Sequence, residues 1–100
     1  MIRYLLIAAA LAAPLSMANA TGRMTCEEVE RAKWLSKQAL TRKLTAEGWK
    51  VRFMKEDGGC WEVYGTTPDG QRVEAYFHPA TGEKLLVAQR GRILFRAKTN

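Results

Sequence analysis

The chain has 100 residues, 47% of them apolar, and carries 16 basic against 10 acidic side chains for a formal charge of +6. That length supports one domain and no more. With two cysteines, one histidine and no glycine-rich strand-to-helix loop, the composition excludes a bis-histidine haem, a histidine-built metal site and a phosphate-cradling loop within one chain.

Residues 1–20 read as a leader rather than as part of the fold. Met1-Ile2-Arg3 is a short positive start, Tyr4 to Leu15 is an apolar run broken only by Pro14, and Ser16-Met17-Ala18-Asn19-Ala20 supplies small residues around a cleavage point after Ala20. These are the three parts of a secretory signal peptide, and the run is too short for a stable membrane anchor. A lipid anchor at Cys26 is not expected, because Arg23-Met24-Thr25 replaces the small residues a lipobox needs. The processed chain of 80 residues keeps 15 basic and 10 acidic side chains, a charge of +5. The predicted location is periplasmic, with no membrane-spanning segment left after processing. A chain this short has a thin core. In an oxidising compartment its two cysteines are most simply a disulfide, Cys26–Cys60. The pair closes a loop of about 35 residues, worth roughly 3–4 kcal/mol by loop-closure entropy.

Thr25-Cys26-Glu27-Glu28 has the form of a helix-starting capping box, and Val29, Ala32 and Leu35 make a weak helical stripe after it. Ser36 is a second candidate cap, followed by an apolar face of Ala39, Leu40 and Leu44 with Arg42 and Lys43 opposite. Glu47-Gly48 closes that helix, Gly48 suiting the left-handed position past its end. Two readings stand: one helix over 27–47, or a short turn, a break near Trp34 and a helix over 37–47. Trp34 is then either a staple under the helix or an exposed anchor.

From Trp49 the apolar period becomes two. Trp49, Val51 and Phe53 alternate with Lys50 and Arg52; Cys60 to Tyr64 alternates again; Arg72 to Phe77 does so a third time. Asp57-Gly58-Gly59 and Thr67-Pro68-Asp69-Gly70 are the turns between them, and His78-Pro79 ends the third strand. Strict alternation sets Trp49, Val51, Phe53, Trp61, Val63, Val73, Ala75 and Phe77 toward the helix. It turns Lys50, Arg52, Met54, Cys60, Glu62, Tyr64, Arg72, Glu74 and Tyr76 to the other side. A three-residue loop over 57–59 pairs Phe53 with Val63 and Arg52 with Tyr64. A three-residue loop over 68–70 pairs Val63 with Ala75 and Tyr64 with Glu74, a register that keeps Glu62 from facing Glu74. Cys60 then lies away from the helix, so the disulfide requires either the N-terminal segment to wrap the sheet end or a bulge at Gly58-Gly59. After Glu83, Leu85-Leu86-Val87 and Ile93-Leu94-Phe95 flank Gln89-Arg90-Gly91-Arg92. They read either as a further hairpin or as one strand and a frayed basic terminus.

These residues carry a resemblance. A helix ending at Leu44, Gly48, Trp49 and Val51 leads into Gly59-Cys60-Trp61-Glu62-Val63-Tyr64-Gly65. Asp69-Gly70-Gln71-Arg72-Val73-Glu74-Ala75-Tyr76-Phe77 then precedes His78-Pro79-Ala80-Thr81-Gly82-Glu83. The pattern, over about residues 36–85, resembles the PepSY domain family, in particular small periplasmic proteins made of a signal peptide and one such domain. His78 stands where the family usually has Asp. The resemblance implies an α-plus-antiparallel-β unit and a role in binding or restraining envelope peptidases, and it brings no catalytic residues.

The residues themselves point the same way. The lone His78 beside Pro79 is a turn residue, and no Ser-His-Asp or Cys-His pairing can be built on one histidine. Glu62 and Glu74 share a face with Arg52, Arg72 and tyrosines, which reads as a cross-strand charge lattice rather than a catalytic carboxylate pair. No catalytic, cofactor-binding or metal site is therefore expected. The predicted fold class is α+β, one main helix packed on a three- to four-stranded antiparallel β-meander. Its parts are a leader (1–20), a partly helical N-terminal segment carrying Cys26 (21–35), the PepSY-like domain (36–88) and a basic C-terminal tail (89–100). The expected function is a non-catalytic periplasmic binding or regulatory module for a protein, a peptidase in the family's terms. Its contact is the open sheet face of Arg52, Tyr64, Arg72 and Tyr76, or the sheet edge. The alternative is a basic envelope protein binding anionic lipid or lipopolysaccharide through Arg90, Arg92, Arg96 and Lys98; nucleic acid is a poor partner for an exported chain.

Overall fold

The computed structural model describes residues 22–98; the leader expected over residues 1–20 and its cleavage point lie outside them. A 3-10 turn, Arg31–Lys33, precedes helix α1 (Lys37–Ala46). Five strands follow: β1 (Lys50–Asp57), β2 (Cys60–Thr66), β3 (Arg72–Phe77), β4 (Lys84–Gln89) and β5 (Arg92–Arg96). They form one sheet in the order β1-β2-β3-β4-β5, every neighbour antiparallel. The class is α+β, but the meander has five strands rather than three or four. The added strands come from the tail, where the hairpin reading holds and Arg92–Arg96, assigned above to a basic tail, becomes an edge strand. Among the described residues, no helix is long and apolar enough to cross a membrane.

Of the two helix readings, the broken one is observed. Ser36 Oγ accepts from the Ala39 N–H at 3.0 Å and starts α1. At the far end Trp49 N–H donates to Leu44 O at 2.9 Å across Gly48, whose φ of 100° is the left-handed conformation that ends a helix. The expected capping box at Thr25 starts no helix. Cys26 N–H instead donates to Gly58 O at 2.8 Å, which lays the segment along the sheet.

Leu40 and Leu44 of α1 are fully buried against Trp49, Met54, Trp61, Val63, Val73, Ala75, Phe77 and Val87. Trp34 is a staple: its ring meets Trp61 edge-on at 5.3 Å and its indole N–H donates to Val29 O. Trp61 in turn donates to Leu35 O at 2.9 Å, tying the turn before α1 to β2.

The predicted faces hold except at two residues that exchange places. Met54 is 5% exposed in the core, whereas Phe53 is 55% exposed on the opposite face, its ring 5.7 Å from Tyr64. The cause is the first hairpin. Its loop is two residues, Gly58 and Gly59, with φ of 61° and 80°, so Asp57 pairs with Cys60. Both values suit the turn that matches strand twist. A β-bulge between Val51 and Phe53 absorbs the residue this leaves over. The expected pairs Phe53–Val63 and Arg52–Tyr64 therefore become Met54–Val63 and Phe53–Tyr64. A one-residue slip reverses side-chain direction, and between turn and bulge it does so. The β2–β3 register is the predicted one, Val63 with Ala75 and Tyr64 with Glu74.

The disulfide Cys26–Cys60 is present, with Cα atoms 5.4 Å apart. The N-terminal segment reaches it by wrapping the sheet end. Met24 and Cys26 cover a second small core of Cys60, Tyr76, Leu86 and Ala88 on the face away from α1. Gly58 permits the crossing, since a Cβ there would collide with the Met24 carbonyl. The sheet is thus buried on both sides along β2, where Cys60, Trp61, Glu62 and Val63 are all inaccessible.

Candidate functional site

The face away from α1 has a covered half and an open half. Tyr76, expected on the open surface, belongs to the covered half and is fully buried. Its hydroxyl donates to Asp57 Oδ2 at 2.8 Å and accepts from Arg23 N–H at 3.3 Å, while Gly22 N–H donates to the same Asp57 oxygen. Burial first, and the bond to Asp57 second, raise its phenol well above the ordinary range. The disulfide holds residues 22–26 over this ring, so Tyr76 anchors the N-terminal segment and is not available to a partner.

The other three expected residues meet on the open half. Arg52, Tyr64 and Arg72 line a concavity of about 220 Å³ together with Glu74 and Arg90. Tyr64 lies on β2 between Phe53 of β1 and Glu74 of β3, Arg52 sits in the bulge of β1, and Arg72 opens β3. Burial, with the Glu62 carboxylate adding, pushes the Tyr64 hydroxyl up to about 12. It therefore stays protonated and can donate at any physiological pH. Glu74 is balanced from the covering segment, its Oε1 3.6 Å from Arg23 Nε.

Arg90 was not foreseen here. Sequence grouped it with Arg92, Arg96 and Lys98 as a separate basic cluster. The β4–β5 turn, Arg90-Gly91, returns it beside Arg72, and the signal for this was the glycine between two apolar runs. A second concavity, about 580 Å³, is lined by Arg72, Gln89, Arg90 and Arg92, and shares Arg72, Gln89 and Arg90 with the first. Arg90 and Arg92 of the C-terminal basic group thus share one continuous surface with Arg52 and Arg72, whereas Arg96 and Lys98 line neither concavity. Arg90 has φ of 50°, the left-handed region that costs a non-glycine residue about 1 kcal/mol. Arginine forks are suited to bidentate contact with carboxylates and phosphates and remain charged at all accessible pH, and here they stand beside the protonated Tyr64 phenol.

The remaining candidates have structural partners. His78 Nδ1 accepts from Ala80 N–H and Thr81 N–H at 3.1 and 3.2 Å, and its Nε2 lies 3.4 Å from Glu27. It organises the turn before β4. Among the described residues Glu62 and Glu74 form none of the ion pairs with Arg52 or Arg72 that the charge-lattice reading supposed: the slip of β1 sets Lys55 opposite Glu62, and Glu74 lies beside Arg23. Glu62 instead lies 3.9 Å from Lys55 Nζ, fully buried, with neither carboxylate oxygen hydrogen-bonded among the described residues. Desolvation raises its carboxyl above the usual range, with nearby Tyr64 and Lys55 pulling the other way.

Against known proteins, a family model described as peptidase propeptide and YPEB domain matches residues 3–86. No curated protein and no solved structure matches the chain significantly.

Proposed function

The chain belongs to the PepSY family of peptidase propeptide and YPEB domains, and from that premise we propose that it is a non-catalytic, exported module that binds and restrains a peptidase in the periplasm. The observation that carries the reading is the open arginine and tyrosine surface of Arg52, Tyr64, Arg72 and Arg90, held on a sheet that is buried on both sides along the first half of β2. Aromatic and arginine side chains on a rigid platform are the composition of protein-recognition surfaces. The disulfide and the N-terminal wrap suit an oxidising compartment.

The test is capture from periplasmic extract with the processed chain, followed by assay of the captured peptidase. The wild-type chain should enrich a peptidase and slow its cleavage, and joint replacement of Arg52, Tyr64 and Arg72 by alanine should abolish both. Unchanged capture by the triple variant refutes the surface; no inhibition by the wild-type chain refutes the function. The alternative, binding of anionic lipid or lipopolysaccharide, draws on the larger concavity at Arg72, Arg90 and Arg92. Binding of that kind should fade as ionic strength rises, while a packed protein interface should largely survive.

A further inference from the structure

We propose that β5 is a receptor strand, which takes an extended peptide segment as a sixth, antiparallel strand and holds a carboxylate of that segment among Arg72, Arg90 and Arg92. β5 is an edge of the sheet, and among the described elements it packs only against β4. All five of its residues are exposed, including Ile93 at 42%, Leu94 at 37% and Phe95 at 37%. An apolar run on an open edge is an arrangement that sheets usually blunt, because it templates pairing with another strand. A β-bulge at Leu94, between the pairs Val87–Phe95 and Ala88–Ile93, interrupts the alternation of β5, so its free ladder groups are assigned only at the Arg96 end. Ala97 N–H donates inward to Leu85 O, so the backbone groups of Arg96 turn outward by alternation. Side chains of an added strand also have a place to go. On the α1 side, Leu94 and Phe95 form a groove of about 340 Å³ with Trp49, Pro68 and Val87.

Charge selects the occupant. In antiparallel pairing of two copies along the whole of β5, Arg92 of one chain would face Arg96 of the other. The Arg96 and Lys98 end of each copy would also approach the other's Arg72, Arg90 and Arg92. Like charges set opposite each other are unfavourable, so a second copy is disfavoured and a segment with acidic residues flanking an apolar centre is favoured. Direction follows from the sheet, in which every pair is antiparallel. A strand added in that sense runs from Arg96 toward Arg92, and its C-terminal end arrives at the arginine-lined concavity. A carboxylate there, from an acidic side chain or from a chain terminus, meets three forked donors. Arg90 occupies a left-handed position where glycine would be at ease, and places its guanidinium on that concavity.

The inference rests on the proposed function only in taking the occupant to be polypeptide. Its test uses no peptidase, so the two can fail separately. The full chain, expressed with its leader and purified as the cell processes it, is isotope-labelled and titrated with a short synthetic peptide of alternating valine and threonine flanked by glutamates. Companion peptides carry a C-terminal amide, or glutamine for glutamate. Backbone resonances of β5 should shift, and exchange of the Arg96 amide should slow. Arg90→Gly should weaken binding about tenfold while raising the melting temperature by several degrees, which separates loss of the site from loss of the fold. The companion that loses this dependence on Arg90 identifies whether the carboxylate is a terminus or a side chain. Absence of β5 shifts, equal binding of both neutralised peptides, dimerisation of the chain through β5, or anionic vesicles shifting β5 when the peptide does not, would each overturn the proposal.

Discussion

Replacing Cys26 and Cys60 together by serine should remove most of the chain's margin of stability. The disulfide spans a sequence separation of 34, for which loop-closure entropy gives roughly 4 kcal/mol. A small domain has only about 5–15 kcal/mol in total. A second contribution follows if the N-terminal segment lifts away, because Tyr76 and Leu86, both fully buried beneath Met24 and Cys26, would then meet water. Each such side chain carries about 1.5–3 kcal/mol. Urea unfolding under non-reducing conditions, followed by tryptophan fluorescence, measures the loss. With a slope of about 1 kcal/mol per molar for a small domain, the midpoint should fall by roughly 4 M, and the melting temperature by at least about 16 °C. Amide exchange would report whether Tyr76 loses its cover, since Trp49 and Trp61 lie in the other core. A loss below about 1 kcal/mol, with the segment still protected, would refute the reasoning and assign the wrap to its hydrogen bonds alone.

Glu62→Gln tests the buried carboxylate. Its folded-state value is raised, so the native chain keeps the proton longer than the unfolded one. That contribution is fully present below the ordinary carboxylate range and is lost as pH rises through it to the raised value. The glutamine variant should therefore be more stable than wild type near pH 8, by about 1–3 kcal/mol, with the difference shrinking toward pH 4; parallel urea curves, or a variant less stable at pH 8, would sink the idea. Met54→Ala should cost about 2–5 kcal/mol and Phe53→Ala well under about 1 kcal/mol, the reverse of what strict alternation implies. Thermal unfolding of the two variants measures the difference, and equal losses would refute the exchange of Met54 and Phe53 that the bulge produces.

What could be read in advance was whatever local chemistry encodes. Ser36 and Gly48 bound α1 because capping and the left-handed glycine act within one turn of chain. The β2–β3 register was legible because Pro68-Asp69-Gly70 and the separation of Glu62 from Glu74 act on the same pair of strands. The candidate surface was legible in part. Arg52, Tyr64 and Arg72 come together, but Tyr76 is covered by a segment that lies 50 residues earlier in the chain, near Cys26. Arg90 joins them only through the β4–β5 turn.

Amino-acid order alone therefore determined the second half of the helix and its end, the strand period, the pairing of the two cysteines and the two basic groups, while the break before Ser36 was left to the tertiary structure. Tertiary structure decided where the extra residue of β1 goes, which half of the outer face stays open, and that Arg90 and Arg92 share a surface with Arg52 and Arg72. A three-residue turn without a bulge and a two-residue turn with one satisfy the same alternation near Lys50 and Val51. The choice between them falls to packing, which sets Met54 into the core under α1 and leaves Phe53 beside Tyr64.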